Sequence, residues 1–242
     1  MNISNQDNIP IGKASSLIGV SIDTLRRWDK NGKFTATRLT PSGNRYYSKA
    51  DIDLFLDDPV AIARQWVFAS SPKLLKSGFY CKTRDVFQSR LENFQSKLTK
   101  LIGIESSSLI TAITGEIGNN SFDHNLGNWP DVLGIFFSHT PKREIVLADR
   151  GRGILTTLER VDPTLKTHTQ ALTVAFTKII SGRSLEARGN GLKFVKRIVT
   201  THPLKLSFQT GNALLELSKK ENKVNVKIVQ ENIRGCFVII KY

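Results

Sequence analysis

The sequence holds only two cysteines, Cys81 and Cys236. They fit no metal-ligand spacing and make no disulfide framework. They read as free thiols of a reducing compartment. No apolar run approaches the roughly 20 residues that span a bilayer, so a membrane-spanning helix is excluded. The opening residues, Met1 to Asn8, lack the basic-then-apolar pattern of a signal peptide. These absences predict a cytoplasmic chain with no membrane partner. There is no internal repeat and no low-complexity segment. Histidines are also few, at 124, 139, 168 and 202. None stands on a dimerisation helix ahead of the polar patches described below, which disfavours a histidine kinase.

What is present is positive charge. Over 242 residues, 35 Lys and Arg face 21 Asp and Glu, a net +14. Such an excess fits an anionic partner, DNA, RNA or nucleotide. Its distribution matters more than its size. Residues 1–60 carry only +1, with eight basic against seven acidic side chains. Apolar content of 40% allows a sizeable core, and the length suits one large domain or two small ones.

Residues 9–56 read as a compact helical module. Ile11 to Ile18 predicts a helix with Ala14, Leu17 and Ile18 on one side. Gly19-Val20 makes the turn, Ser21 is an N-cap, and Asp23 adds negative charge to the next first turn. The second helix, Ile22 to Lys30, stops at Asn31-Gly32. Leu25 and Trp28 face inward from it, which leaves Thr24, Arg26, Arg27 and Lys30 outward. Two short helices across a glycine turn, the second bearing exposed basic residues, form a helix-turn-helix pattern. Extended runs at Phe34–Leu39 and Arg45–Tyr47 flank Thr40-Pro-Ser-Gly-Asn44, a hairpin-like wing. Ser48 then caps a helix over Lys49–Leu56.

The pattern Gly19-Val-Ser-x-x-Thr24-Leu-Arg-Arg-Trp28, Gly32 and Gly43-Asn-Arg-Tyr-Tyr47 resembles the MerR-type winged helix-turn-helix, excisionases included. The resemblance implies Arg26 and Arg27 in the major groove, Thr24 and Lys30 on the same DNA-facing surface, and Arg45 and Tyr46 of the wing at the phosphate backbone. It also implies a homodimer on half-sites about one helical turn apart. An arginine that reaches guanine with two hydrogen bonds discriminates by about 1–3 kcal/mol. Phosphate contacts from Lys33, Arg38 and Arg45 would add affinity without sequence information.

Asp57-Asp-Pro59 marks a boundary. Ala61–Ala69, with Trp66, looks helical and is broken by Ser70-Ser-Pro72. Val86, Phe87, Leu91, Phe94, Leu98, Leu101 and Ile102 describe a long amphipathic helix over Arg84–Ile102. It could pack on a sheet or pair with its copy in a dimer. The expected division is therefore 1–58 winged domain, 59–104 helical linker and 105–242 second domain.

Three polar patches organise that second domain. The first, Glu116 to His124, lies on a helix whose apolar residues Leu109, Ile110, Ile113 and Ile117 keep a helical period. Glu116, Asn120 and His124 are four apart and share a face. A carboxylate and an amide one turn apart suit Mg²⁺, which takes oxygen ligands and keeps several waters. A free carboxylate beside it can polarise an attacking water. The second patch, Asp149-Arg-Gly-Arg-Gly153, ends an apolar strand over Arg143–Ala148. Asp149 there can accept from an exocyclic amine, and the glycines let backbone approach a ligand. The third, Gly189-Asn-Gly191-Leu192, opens a helix to Thr200, where free N–H groups favour phosphate.

Together the patches resemble the GHKL ATPase superfamily, the Bergerat-fold group of gyrase, Hsp90, histidine kinases and MutL, over residues 105–242. The Glu-x-x-x-Asn-x-x-x-His spacing is most similar to the anti-sigma-factor kinase branch. The resemblance implies ATP and Mg²⁺ as cofactors, with Glu116 as general base and Asn120 as Mg²⁺ ligand. It implies His124 as a cofactor-site residue, Asp149 at the adenine amine with Gly151 and Gly153 beside the base, and Gly189, Gly191 and Leu192 at the phosphates. The segment between Gly153 and Gly189 would be the ATP lid. Ser181-Gly-Arg-Ser184 would be its phosphate-facing part, and Arg183 and Arg188 candidate phosphate contacts.

Val132–Ser138 and Arg143–Ala148 would be strands. Leu204–Gln209 and Ala213–Ser218 would flank a hairpin turn at Thr210-Gly-Asn212, and Val224–Val229 and Cys236–Lys241 would add two more strands. The expected fold class is α+β, a small winged helix-turn-helix domain followed by a Bergerat-type two-layer α/β sandwich with a mixed, mostly antiparallel sheet. Three functions fit. One is a DNA-binding regulator switched by ATP through a Mg-dependent ATPase domain. The second is a serine protein kinase acting on a partner protein. The third is an ATP-dependent accessory factor in DNA mobility or phage defence.

Overall fold

Ser21 accepts a hydrogen bond from the Thr24 N–H at 3.1 Å, the side-chain cap that starts a helix. That helix belongs to the first of two compact units in the computed structural model. The structure describes residues 8–125, 129, 131–140, 142–178 and 191–242. One unit is built from the residues up to Ile62 with His139–Glu144, the other from Ala63–Ser138 and Ile145–Tyr242.

The first unit contains β1 (Asn8–Pro10), α1 (Ile11–Ile18), α2 (Ile22–Lys30), β2 (Arg38–Leu39), β3 (Arg45–Ser48) and α3 (Lys49–Leu56). Gly19, at φ +77°, closes α1 in the left-handed conformation that glycine adopts readily. The strands pair antiparallel in the order β1-β3-β2, with Ile9 opposite Tyr47 and Arg38 opposite Tyr46. The sequence does not announce β1, because three residues ending in Pro10 carry no alternation. Ile9, Ala14, Leu25, Phe34, Tyr47 and Ile52 form the core. Phe34 stacks on Tyr47 with centroids 5.0 Å apart. Leu17, expected beside Ala14, is exposed.

The remaining elements, which the second unit shares with the first only at the start of α4, the end of β5 and the start of β6, are α4 (Pro59–Phe68), β4 (Tyr80–Cys81), α5 (Arg84–Ile102), α6 (Ile104–Asn125), β5 (Ile135–Thr140), β6 (Glu144–Asp149), α7 (Gly153–Leu158), α8 (His168–Thr177), α9 (Gly191–Thr201), β7 (Lys205–Ser218) and β8 (Val226–Lys241). The sheet runs β4-β5-β6-β8-β7. Helix side chains such as Phe94, Ile113, Phe176 and Val199 share one core with Phe137, Leu147, Phe208 and Val238 of the strands. The architecture is α+β, as the sequence implies.

Packing decides between the two roles open to α5, and one reading of the strands changes. The apolar stripe of α5 lies in the unit's own core through Phe87, Leu91, Phe94 and Leu98, the first of those roles. From Ala63 onward the chain belongs to the second unit. A helical period reveals a buried stripe but not its partner. Gly118 of α6 makes room for the Phe87 ring, which a Cβ there would overlap. The change concerns the late strands. Thr210-Gly-Asn212 is not a hairpin turn. β7 runs through it, paired antiparallel along β8, which likewise joins the two short strands expected there. Register shifts between Thr210 and Gly211, and between Gly211 and Ala213, mark a bulge. Gly211 at φ +55° and Gly235 at φ +83° supply the backbone it needs. Among the described residues no helix is long and apolar enough to cross a membrane.

Candidate functional sites

Helix α6 carries the first patch because its two sides differ. Ile110, Ile113 and Ile117 are buried, while Glu116 is exposed and Asn120 half-buried. α9 packs against α6 and begins at Gly191. A Cβ on Gly191 would run into Glu116 Oε2 and stand 3.7 Å from Asn120 Nδ2. Only glycine allows that approach without displacing the acid. The first and third patches therefore touch.

The second patch is bound to the same helix. Asp149 ends β6 and is 1% exposed. Its Oδ2 accepts from Ser121 Oγ at 2.7 Å, and its Oδ1 from the Gly151 N–H at 2.9 Å. Cys236 adds backbone and side-chain hydrogen bonds. Gly153 has φ +76°, and a Cβ there would stand 2.9 Å from Thr210 Oγ1 and 3.4 Å from the Gly235 carbonyl. Thr210 donates to that carbonyl and accepts from the Ile154 N–H.

Glu116, Asn120, Asp149, Gly151 and Gly191 are thus linked through residues 116–121 of α6, while Gly153 packs on Thr210 and Gly235. Leu192 is half-buried and packs against the core. His124 is exposed in the last turn of α6. Arg183 and Gly189, with Arg188 and the Ser181–Ser184 stretch, lie outside the described residues. Sequence reasoning missed Ser121, Thr210, Cys236 and Arg150. Ser121 follows Asn120 directly, and its small hydroxyl between two expected ligands was the available signal. Arg150 is 1% exposed, and a charge straight after a buried strand was its signal.

Burial pushes the Asp149 carboxyl above the usual range, against the hydrogen bonds from Ser121, Gly151 and Cys236 that favour its ionised form. The Cys236 thiol is pushed well up by burial and then by the Asp149 charge. A folded-state pKa above the unfolded value of about 4 means the native state binds more protons, so stability falls as pH rises through that window. Asp149→Asn should remove this loss. Its melting temperature relative to wild type should be more favourable at pH 7 than at pH 4, as measured by calorimetry. A constant difference across that range would contradict a desolvated carboxylate.

Among the described residues no group of three His, Cys, Asp or Glu could hold a metal ion. Glu116 and Asn120 offer oxygen donors one turn apart, which suits a Mg²⁺ that keeps other ligands on water and phosphate.

In the first unit, Arg26, Arg27 and Lys30 are exposed along α2, with Thr24 half-buried among them. Arg26 pairs with Asp23 at 2.9 Å, but both are largely solvated, so the pair contributes little. Asp29 ties the wing to α2: its Oδ2 accepts from Arg45 Nε at 2.6 Å and its Oδ1 from the Ala36 N–H at 2.9 Å. Arg45 therefore has a structural partner that the sequence did not reveal. Tyr46 is half-buried beside it on β3. The Lys33 ammonium sits 4.1 Å from the Trp28 ring centre.

Residues 10–47 match the family model described as MerR family regulatory protein. They form a MerR-type helix-turn-helix. No curated protein matches the chain. Among solved structures the chain is similar to the topoisomerase IV ATP binding domain of Francisella tularensis in complex with a small molecule inhibitor, at 19% identity and a TM-score of 0.35. The match covers 54% of this chain and 35% of that one, so this chain spans about a third of that structure's length.

Proposed function

We propose that the chain is a DNA-binding regulator whose state is set by ATP held in a GHKL-type site of the second unit. The observation that carries this is the meeting of three separated patches on one helix. Gly191 lies against Glu116 and Asn120, and the next residue, Ser121, holds Asp149. Glu116 acts as general base and Asn120 as a ligand of the Mg²⁺ that arrives with the phosphates. The start of α9 receives those phosphates, with helix N–H groups and dipole both favouring anions. Asp149 reads the adenine amine, with Gly151 and Gly153 beside the base. An ionised carboxylate offers about four acceptor positions, and the protein already uses them. An adenine amine would compete for this carboxylate with the Cys236 thiol, the weakest donor present. Arg183, Gly189 and His124 complete the proposed site as lid, phosphate and cofactor contacts.

The test is thermal shift of the full chain with ATP, ADP and Mg²⁺ in combination. A ligand at a hundred times its Kd stabilises by about 2.7 kcal/mol, an easily read rise. No shift with any combination would remove the nucleotide from the function.

The first unit supplies DNA binding, as a homodimer on paired half-sites. Arg27 and Arg45 then have separable roles. Arg27→Ala should cost about 1–3 kcal/mol of discrimination between a selected duplex and its base-substituted variants. Arg45→Ala should weaken all duplexes alike and also lower the melting temperature, because Asp29 loses its partner. Anisotropy titrations separate the two. Equal, sequence-independent losses would mean that α2 does not read bases.

A further inference from the structure

We propose that Arg150 couples the Asp149 site to the DNA-binding unit by holding the last turn of α4. This rests on the nucleotide reading above. Asp149 and Arg150 are consecutive, yet their side chains serve different elements. Asp149 is held by Ser121 of α6. Arg150 reaches Asp131 and α4 instead, as alternation along an extended chain dictates.

All three guanidinium nitrogens donate within the protein. Its Nε and Nη2 donate to the Asp131 carboxylate at 3.2, 3.1 and 2.6 Å. Nη1 donates to the Trp66 and Val67 carbonyls at 2.6 and 3.2 Å. Those carbonyls belong to the last turn of α4, where no intrahelical partner remains and a cation is favoured. The chain passes between its units inside this same helix, since Ile62 belongs to the first and Ala63 to the second.

Arg150 is a positioning residue and touches no ligand. The strand end that presents Asp149 cannot move without moving a rigid, planar fork whose other end holds α4. Nucleotide at Asp149 biases the hold on that turn, and with it the unit that α4 leads from. Such coupling is reciprocal, so DNA must change ATP affinity by the same factor.

The experiment uses the full chain. Affinity for a mixed-sequence duplex is measured by anisotropy at low salt with and without saturating ATP. ATP affinity is measured by calorimetry with and without that duplex. Hydrogen exchange of the α4 amides is followed on adding ATP. The expected result is a change on the order of tenfold in each affinity, with altered exchange in the last turn of α4. In Arg150→Lys, which keeps the charge but cannot bridge both partners, the coupling falls below about twofold while each ligand alone still binds. Asp131→Asn, which loosens the same guanidinium from its other side, should also shrink the coupling, and serves if Arg150→Lys does not fold. Full coupling in either variant overturns the proposal. So does wild-type protein that binds ATP and DNA independently with unchanged α4 exchange. A wild-type chain that binds no ATP fails the nucleotide reading itself, which calorimetry shows separately.

Discussion

Glu116→Gln should cut ATP hydrolysis by about 10²–10⁴-fold, the usual contribution of a positioned general base, and leave nucleotide binding intact or tighter. The amide matches the acid in shape, so the approach of Gly191, which a Cβ would block against Glu116 Oε2, is preserved. What disappears is the ability to take a proton from water. Removing the α6 negative charge that faces the start of α9 also lowers repulsion toward phosphate, which is why affinity should not fall. Single-turnover assays with radiolabelled ATP and parallel calorimetry separate the two effects. Turnover unchanged by the substitution would take Glu116 out of the chemistry. Equal loss of binding and turnover would give it a binding role instead.

Arg150→Ala should destabilise the second unit strongly. It strands two helix-terminal carbonyls and leaves Asp131 with Arg234, at 3.3 Å, and the Val132 backbone. Removing one partner of a buried ion pair costs about 3–5 kcal/mol. For a unit of this size each kcal/mol shifts the melting temperature by about 2–4 °C, so a drop on the order of 10 °C is expected. Burial works against the ionised Asp131, but the hydrogen bond and charge of Arg150, with Arg234, hold its carboxyl below the usual range. The stability this confers is present above the ordinary carboxylate pKa and is lost as pH falls through the depressed value. The deficit of the variant should therefore narrow in acid. Arg152→Ala, at an exposed position two residues on, should stay within about 0.5 kcal/mol of wild type. Similar melting temperatures for Arg150→Ala and wild type would refute the buried clamp.

The helices were the legible part of this chain. Ser21 with Thr24, Gly19, and the stripe Phe87–Leu91–Phe94–Leu98 are local signals that survive folding, and α1, α2, α3 and α5 begin and end where those signals place them. The strands were less legible. A glycine between two β-prone runs reads as a turn, but whether Gly211 turns or bulges depends on β8, far along the sequence. Site residues showed the same limit. The spacing of Glu116 and Asn120 is a property of one helix and is visible in isolation. Ser121 joining Asp149, Arg150 joining α4, and Arg45 joining Asp29 are meetings between distant segments, and no single stretch contains both halves.

The register shift, three steps of β7 from Thr210 to Ala213 against eight of β8 from Cys236 to Ile228, also resets the phase of β7. Before the bulge the core takes Leu206 and Phe208, and after it Ala213, Leu215 and Leu217, so even positions give way to odd ones. Were the strand to run straight through 210–212 with strict alternation, Ala213, Leu215 and Leu217 would face away from the core. Gly211 carries that irregularity at φ +55°, and a Cβ there would run into the His168 ring, so the phase change depends on glycine at this position.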